Sequence, residues 1–182
     1  MQYFLRTIIL LSSITLGLAG CVTTQSTPDV QTSASKINSG NTDTFPLKRP
    51  ATGNKVFIFS PQEGEWAAYD AKGDRVNTGR ASGGRDFCED INRPCRTIVG
   101  QFKVLTKGGP DCVSHIFPIE TSGGAPMPYC MLFSSQGYAI HGSNDVPDYN
   151  ASHGCVRVTP AAAEWLSKNF IQLGTTVIVE PY

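Results

Sequence analysis

From Lys55 onward the apolar residues come in short β-rich runs closed off by turn residues, and this limits the chain to a fold of many short strands. Residues 55–60 carry Val56, Phe57, Ile58 and Phe59 and end at Pro61. Residues 65–70 and 75–79 flank the turn Ala71-Lys72-Gly73-Asp74 and read as a hairpin. Residues 101–106 form another run, ahead of Gly108-Gly109-Pro110. Residues 129–133 and 138–141, separated by Ser134-Ser135-Gln136-Gly137, predict a second hairpin that brings His141 to a strand end. Residues 175–180 form a closing strand. One helix interrupts the pattern. Thr159 can cap it, Pro160 suits its first position, and Ala162, Trp165, Leu166, Asn169 and Phe170 mark one face before Gly174 stops it. The expected fold is mainly β, a barrel or sandwich with one or two short helices.

The chain has 182 residues, enough for one ordinary domain. Its 15 Lys and Arg balance 15 Asp and Glu, so no basic face for nucleic acid is implied. The first residues differ from the rest. Arg6 precedes an apolar run from Ile8 to Leu18, which is shorter than the ~20 apolar residues that cross a bilayer. Leu18-Ala19-Gly20-Cys21 resembles a bacterial lipoprotein signal. The resemblance implies that residues 1–20 are a signal peptide and that Cys21 is lipidated; ordinary secretory cleavage nearby is the alternative. Lipid on Cys21 would anchor the protein to a membrane, each buried CH₂ adding ~0.8 kcal/mol. Val22, in place of an acidic residue, favours the outer membrane with the protein facing the periplasm. Residues 21–51 are expected to form a Ser/Thr-rich tether with too little to bury to order itself, and residues 52–182 the folded domain.

Six cysteines are present: Cys21, Cys88, Cys95, Cys112, Cys130 and Cys155. Export permits disulfides. With Cys21 given to lipid and Cys155 to chemistry, four remain, and these allow three connectivities. Cys88–Cys95 with Cys112–Cys130 is favoured because each closes a short loop. A loop of ~15 residues gains ~3 kcal/mol from closure in the chain-entropy model. The spacings lack the paired C-x₂-C pattern of zinc sites, so no metal is expected.

Cys155 lies in Ser152-His153-Gly154-Cys155-Val156-Arg157, shortly after Ile140-His141-Gly142-Ser143. A thiol in a glycine-containing turn and an upstream imidazole are the minimum parts of a nucleophile–base pair. Papain-like enzymes place Cys before His, the reverse order, and sortases separate the two much farther. The two motifs together resemble the signature of L,D-transpeptidases of the YkuD type, which remodel bacterial peptidoglycan. Residues 96–102, 127–133 and 137–142 extend the likeness, which covers the chain from about Val56 to its end. Cys130, where an aromatic residue is common, and the Cys88–Cys95 loop depart from the family pattern.

The resemblance implies Cys155 as nucleophile and His141 as general base and acid. It implies that a carbonyl at Gly142 or Ser143 orients the imidazole. Backbone N–H groups of the His153-Gly154-Cys155 turn would form an oxyanion hole. His153 would line the site or brace the turn. Arg157 would hold a substrate carboxylate or form an internal ion pair. His115 reads as a wall residue. The implied substrates are peptidoglycan stem peptides: the thiol acylates on a tetrapeptide, releases D-alanine and passes the acyl group to an amine, giving a 3→3 crosslink. Other acceptors are a D-amino acid, a protein amine or water. No cofactor is needed for this chemistry. A peptidoglycan-binding lipoprotein without turnover is the rival expectation.

Overall fold

The computed structural model describes residues 44–182. The expected signal peptide, Cys21 and residues 22–43 of the expected tether lie outside the described residues. Nine strands form one sheet: β1 Val56–Ser60, β2 Glu65–Tyr69, β3 Arg75–Ser82, β4 Gly100–Lys103, β5 Thr106–Lys107, β6 Met131–Leu132, β7 Ala139–Gly142, β8 Val156–Val158 and β9 Thr176–Val179. Their spatial order is β4-β9-β1-β2-β3-β8-β7-β6-β5. The first five and last four of these read as two halves, joined where β3 pairs antiparallel with β8 through Ala81↔Val158 and Ser82↔Arg157.

The two sheet edges are adjacent in sequence. Only Val104 and Leu105 separate β4 from β5. The Val104 N–H donates to Thr175 O (3.0 Å) and the Leu105 N–H to Leu132 O (2.7 Å), so consecutive amides reach opposite ends of the sheet. The sheet is therefore curled, a half-barrel in place of a flat layer. The run 101–106, expected as one strand, is split by this closure.

Inside the curl, Phe57, Phe59, Trp66, Met131, Phe133, Ile140, Val156 and Val158 pack with Leu166 and Phe170. The helix α1, Pro160–Trp165, is capped as its sequence predicts: Thr159 Oγ1 accepts from the Ala162 N–H (3.3 Å). It is shorter than expected. A π-turn over Leu166–Phe170 follows, which still buries Leu166 and Phe170, and Ile171 is already extended. Gly174, at positive φ, turns the chain into β9.

β1 is buried on both faces. Phe57 and Phe59 face the main core, whereas Val56 and Ile58 join Phe45, Ala67 and Tyr69 in a second cluster. An apolar run without alternation calls for cover on both sides, and residues 44–51 supply part of it. Phe45 is buried, Tyr69 Oη donates to Pro46 O (2.7 Å), and the Arg49 and Arg75 N–H groups bond to Gly73 O and Leu47 O. The packed chain thus begins before Thr52: residues 44–51, expected in the tether, belong to the domain. Burying one such phenylalanine contributes about 2 kcal/mol.

Candidate active site

Strand parity builds the site. β7 and β8 run parallel, with Ile140 opposite Val156 and His141 opposite Arg157. Ile140, Val156 and Val158 point into the core. Alternation then puts His141, Arg157 and, one residue before β8, Cys155 on the other face. That face floors a cleft of about 860 Å³ lined by His141, Cys155 and Arg157. The wall opposite comes largely from the β5–β6 connection, including Val113, His115 and Phe117. The Cys112–Cys130 disulfide staples that connection, and Cys88–Cys95 staples the loop at the other rim. Both favoured pairings are therefore present.

His141 is 6% exposed, and its Nδ1 lies 2.9 Å from Gly142 O. A carbonyl only accepts, so Nδ1 carries the proton and Nε2 keeps a lone pair. Burial lowers the imidazole pKa to about 4; the Gly142 bond opposes this and the Arg157 cation adds to it. Burial pushes the half-buried Cys155 thiol up, against smaller downward pulls from the Ala139 backbone and Arg157. At neutral pH the resting pair is a thiol and a neutral imidazole. The buried neutral His141 also predicts a pH effect on stability. Unfolded histidine takes a proton below pH ~6.5, whereas His141 in the fold refuses it until about pH 4. Stability is therefore lost as pH falls between those values, by up to about 3 kcal/mol. Urea unfolding midpoints at pH 7 and 4.5 should show the loss, and His141→Gln should shrink it; equal slopes in the two proteins would disprove it.

The Ser152–Cys155 turn is held by its own side chains. Ser152 Oγ donates to Cys155 O (2.6 Å) and accepts the Gly154 N–H (3.0 Å). Gly154 has φ +124°, and a Cβ there would lie 2.7 Å from Tyr138 Cε1, so glycine is required. Ser152 is anchored to the segment after β3 by Ser152 N–H to Gly83 O (2.9 Å) and Arg85 N–H to Ser152 O (3.0 Å). His153 Nε2 meets Asp90 Oδ2 at 2.7 Å, and its ring lies 4.4 Å from that of Phe117. Burial pushes the Asp90 carboxyl up, but the bond and charge of His153 prevail and hold it below the usual carboxylate range. Arg157 Nη1 pairs with Asp145 Oδ2 at 2.7 Å.

A model of the YkuD family, described as the L,D-transpeptidase catalytic domain, matches residues 54–179. The chain belongs to this family. This YkuD domain shares its fold with solved L,D-transpeptidases. One from Xylanimonas cellulosilytica is 29% identical, with a TM-score of 0.62 over 74% of this chain and 64% of that one. One from Mycobacterium smegmatis is 20% identical (TM-score 0.58; 70% and 59% covered). L,D-transpeptidase 3 from Mycobacterium tuberculosis, solved with a faropenem-derived adduct, is 23% identical (TM-score 0.57; 70% and 60% covered). The chain spans less than two thirds of the length of these structures. No curated protein sequence matches it.

Within this YkuD domain His141, Ser143, His153, Cys155 and Arg157 line one cleft, whereas Gly142 and Gly154 are not among its lining residues. Of the two carbonyls considered for orienting the imidazole, Gly142 is the one in contact. The N–H groups of Gly142, Ser143 and Gly154 are already given to Pro128 O, Val158 O and Ser152 Oγ, which leaves those of His153 and Cys155 as turn donors to consider for an oxyanion. His115 does line the cleft. Asp90 and Phe117 escape sequence reasoning: each sits far along the chain from the motif it braces. Among the described residues, the metal-ligating types that converge are Cys88, Asp90 and His153, their atoms within 4.8 Å. Cys88 is tied up as a disulfide, so this group does not fit a metal ion.

Proposed function

We propose that the protein is a peptidoglycan L,D-transpeptidase in which Cys155 and His141 perform the acyl transfer. The observation that carries this reading is the shared cleft face of β7 and β8, with His141 fixed through Nδ1 so that Nε2 is its basic atom. Cys155 Sγ attacks the carbonyl carbon of the third residue of a stem tetrapeptide while its proton passes to Nε2. The tetrahedral oxyanion collapses, the C–N bond breaks, and the imidazolium returns the proton to the departing D-alanine amine. A thioester remains. A side-chain amine of a second stem attacks it, gives its proton to Nε2, and the thiol is regenerated as the 3→3 crosslink forms. Water in place of the amine gives L,D-carboxypeptidase activity; a D-amino acid gives exchange; a protein amine gives attachment to the wall. The transpeptidase outcome rests on the family match. The rival is a wall-binding lipoprotein without turnover.

The residues before Thr44 extend the proposal. Residues 1–20 would be cleaved and Cys21 lipidated, tethering the domain to the outer membrane in the periplasm. A Cys21→Ala variant that stays in the membrane fraction would refute this anchor. The activity is tested with the folded domain, isolated stem tetrapeptide and mass spectrometry of the products, in parallel with intact mass after exposure to a carbapenem. A crosslinked dimer and one drug adduct on Cys155 are expected. A reactive Cys155 with no product from any stem would shift the reading to wall binding.

A further inference from the structure

The cleft has a one-sided charge. Arg93, Lys107 and Arg157 line it, together with all three histidines of the described chain, His115, His141 and His153, and no lining residue is acidic. Two of the three cations are already engaged. Lys107 Nζ donates to the carbonyls of Ser167 and Ile171. Arg157 is paired with Asp145. Arg93 is exposed, and among the described residues its guanidinium makes no hydrogen bond or ion pair.

Arg93 is nevertheless held in place by its backbone. It forms an isolated bridge with Cys88, through Cys88 N–H to Arg93 O (2.9 Å) and Arg93 N–H to Cys88 O (3.3 Å). The Cys88–Cys95 disulfide closes the same loop, with both cysteines buried. Asp90 ties the loop to His153, two residues before the nucleophile. A long cation with an unspent fork of donors is thus carried on a loop braced against the Cys155 turn. Such a fork matches a carboxylate in two-point geometry.

We propose that Arg93 is a specificity-determining residue that binds a free carboxylate of the donor stem peptide, so that the enzyme selects unamidated stems. This inference rests on the proposed function. Two stem groups offer the same chemistry: the α-carboxylate of the second-residue glutamate and the carboxylate of a third-residue diamino acid. Either is lost as an anion when amidated.

The test measures D-alanine release from three tetrapeptide donors: unamidated, amidated at the second residue, and amidated at the third. The wild-type enzyme is expected to lose about tenfold in kcat/KM on one amidated donor, the magnitude of one charge-assisted bond, and the affected donor identifies the carboxylate. Arg93→Gln should lose about as much on the unamidated donor, mainly through KM, and should no longer distinguish that pair. Arg93→Lys should recover part of the loss. Because the side chain makes no bond within the protein, the urea midpoint of Arg93→Gln should match the wild type. Release by the wild type without discrimination overturns the Arg93 proposal alone, as does an equal loss by Arg93→Gln on all three donors. No release from any donor, with Cys155 still acylated by a carbapenem, overturns the functional reading and this one with it.

Discussion

Cys155→Ala is expected to reduce D-alanine release from a stem tetrapeptide by at least about 10⁴-fold and to abolish the carbapenem adduct. Without sulfur there is no thioester, and the remaining contacts only bind. His141→Gln is expected to cost about 10²–10⁴-fold, the usual share of a general base. It retains the thiol but removes the lone pair that takes its proton. Because burial raises the thiol, the His141→Gln enzyme should recover part of its acylation rate as pH rises toward the thiol pKa. Stopped-flow acylation across pH would show this. A Cys155→Ala protein that still releases D-alanine would disprove the nucleophile assignment.

Gly84→Ala is expected to be the most damaging substitution outside the reacting pair. A Cβ at this position would lie 1.8 Å from Cys95 O and 2.8 Å from Gly154 Cα. Both obstacles are backbone, so no rotamer change can relieve them. The glycine is also pinned: its N–H donates to Thr97 Oγ1 (3.0 Å) and its carbonyl accepts from Tyr182 Oη (2.9 Å). Overpacking of this kind costs about 3 kcal/mol or more. The relief open to the protein is to separate the disulfide loop from the nucleophile turn, and displacing a reacting atom by ~1 Å can cost 10²-fold in rate. The urea midpoint and the carbapenem acylation rate should therefore fall together. Gly109→Ala, where a Cβ meets nothing within 4 Å, serves as control and should change stability by less than about 0.5 kcal/mol. Equal effects at the two glycines would contradict the packing described.

The parts of the fold that were legible in the sequence are those where local pattern and tertiary role agree. β1, β2 and β9 are β-branched and aromatic runs between turns, and Thr159-Pro160 marks a helix start that the fold keeps. β8 was hidden because three residues with Arg157 in the middle carry too little alternation to distinguish a strand from a motif loop. The break at Val104–Leu105 was hidden because the curling of the sheet is a long-range event with no local sign. Residues 44–51 were misplaced for a related reason. They follow a Ser/Thr-rich stretch and carry two prolines and Lys48-Arg49, which reads as more tether, while the need for Phe45 to cover β1 is written in β1 itself. At the site, His141 and Cys155 were visible through their motifs. The tasks of Asp90 and Phe117 are set by contacts across the chain, which spacing does not encode.

The protonated resting state of Cys155 also bears on how this thiol coexists with its neighbours. Cys95, Cys112 and Cys130, one or both halves of each bridge, line the same cleft as Cys155. Thiol–disulfide exchange and peroxide oxidation both require a thiolate. A thiol that keeps its proton at rest reacts slowly in both, so the raised Cys155 thiol would spare the two staples from reshuffling and itself from sulfenic acid. For the proposed acyl transfer the same burial would carry a cost: the thiol must be ionised anew in every cycle.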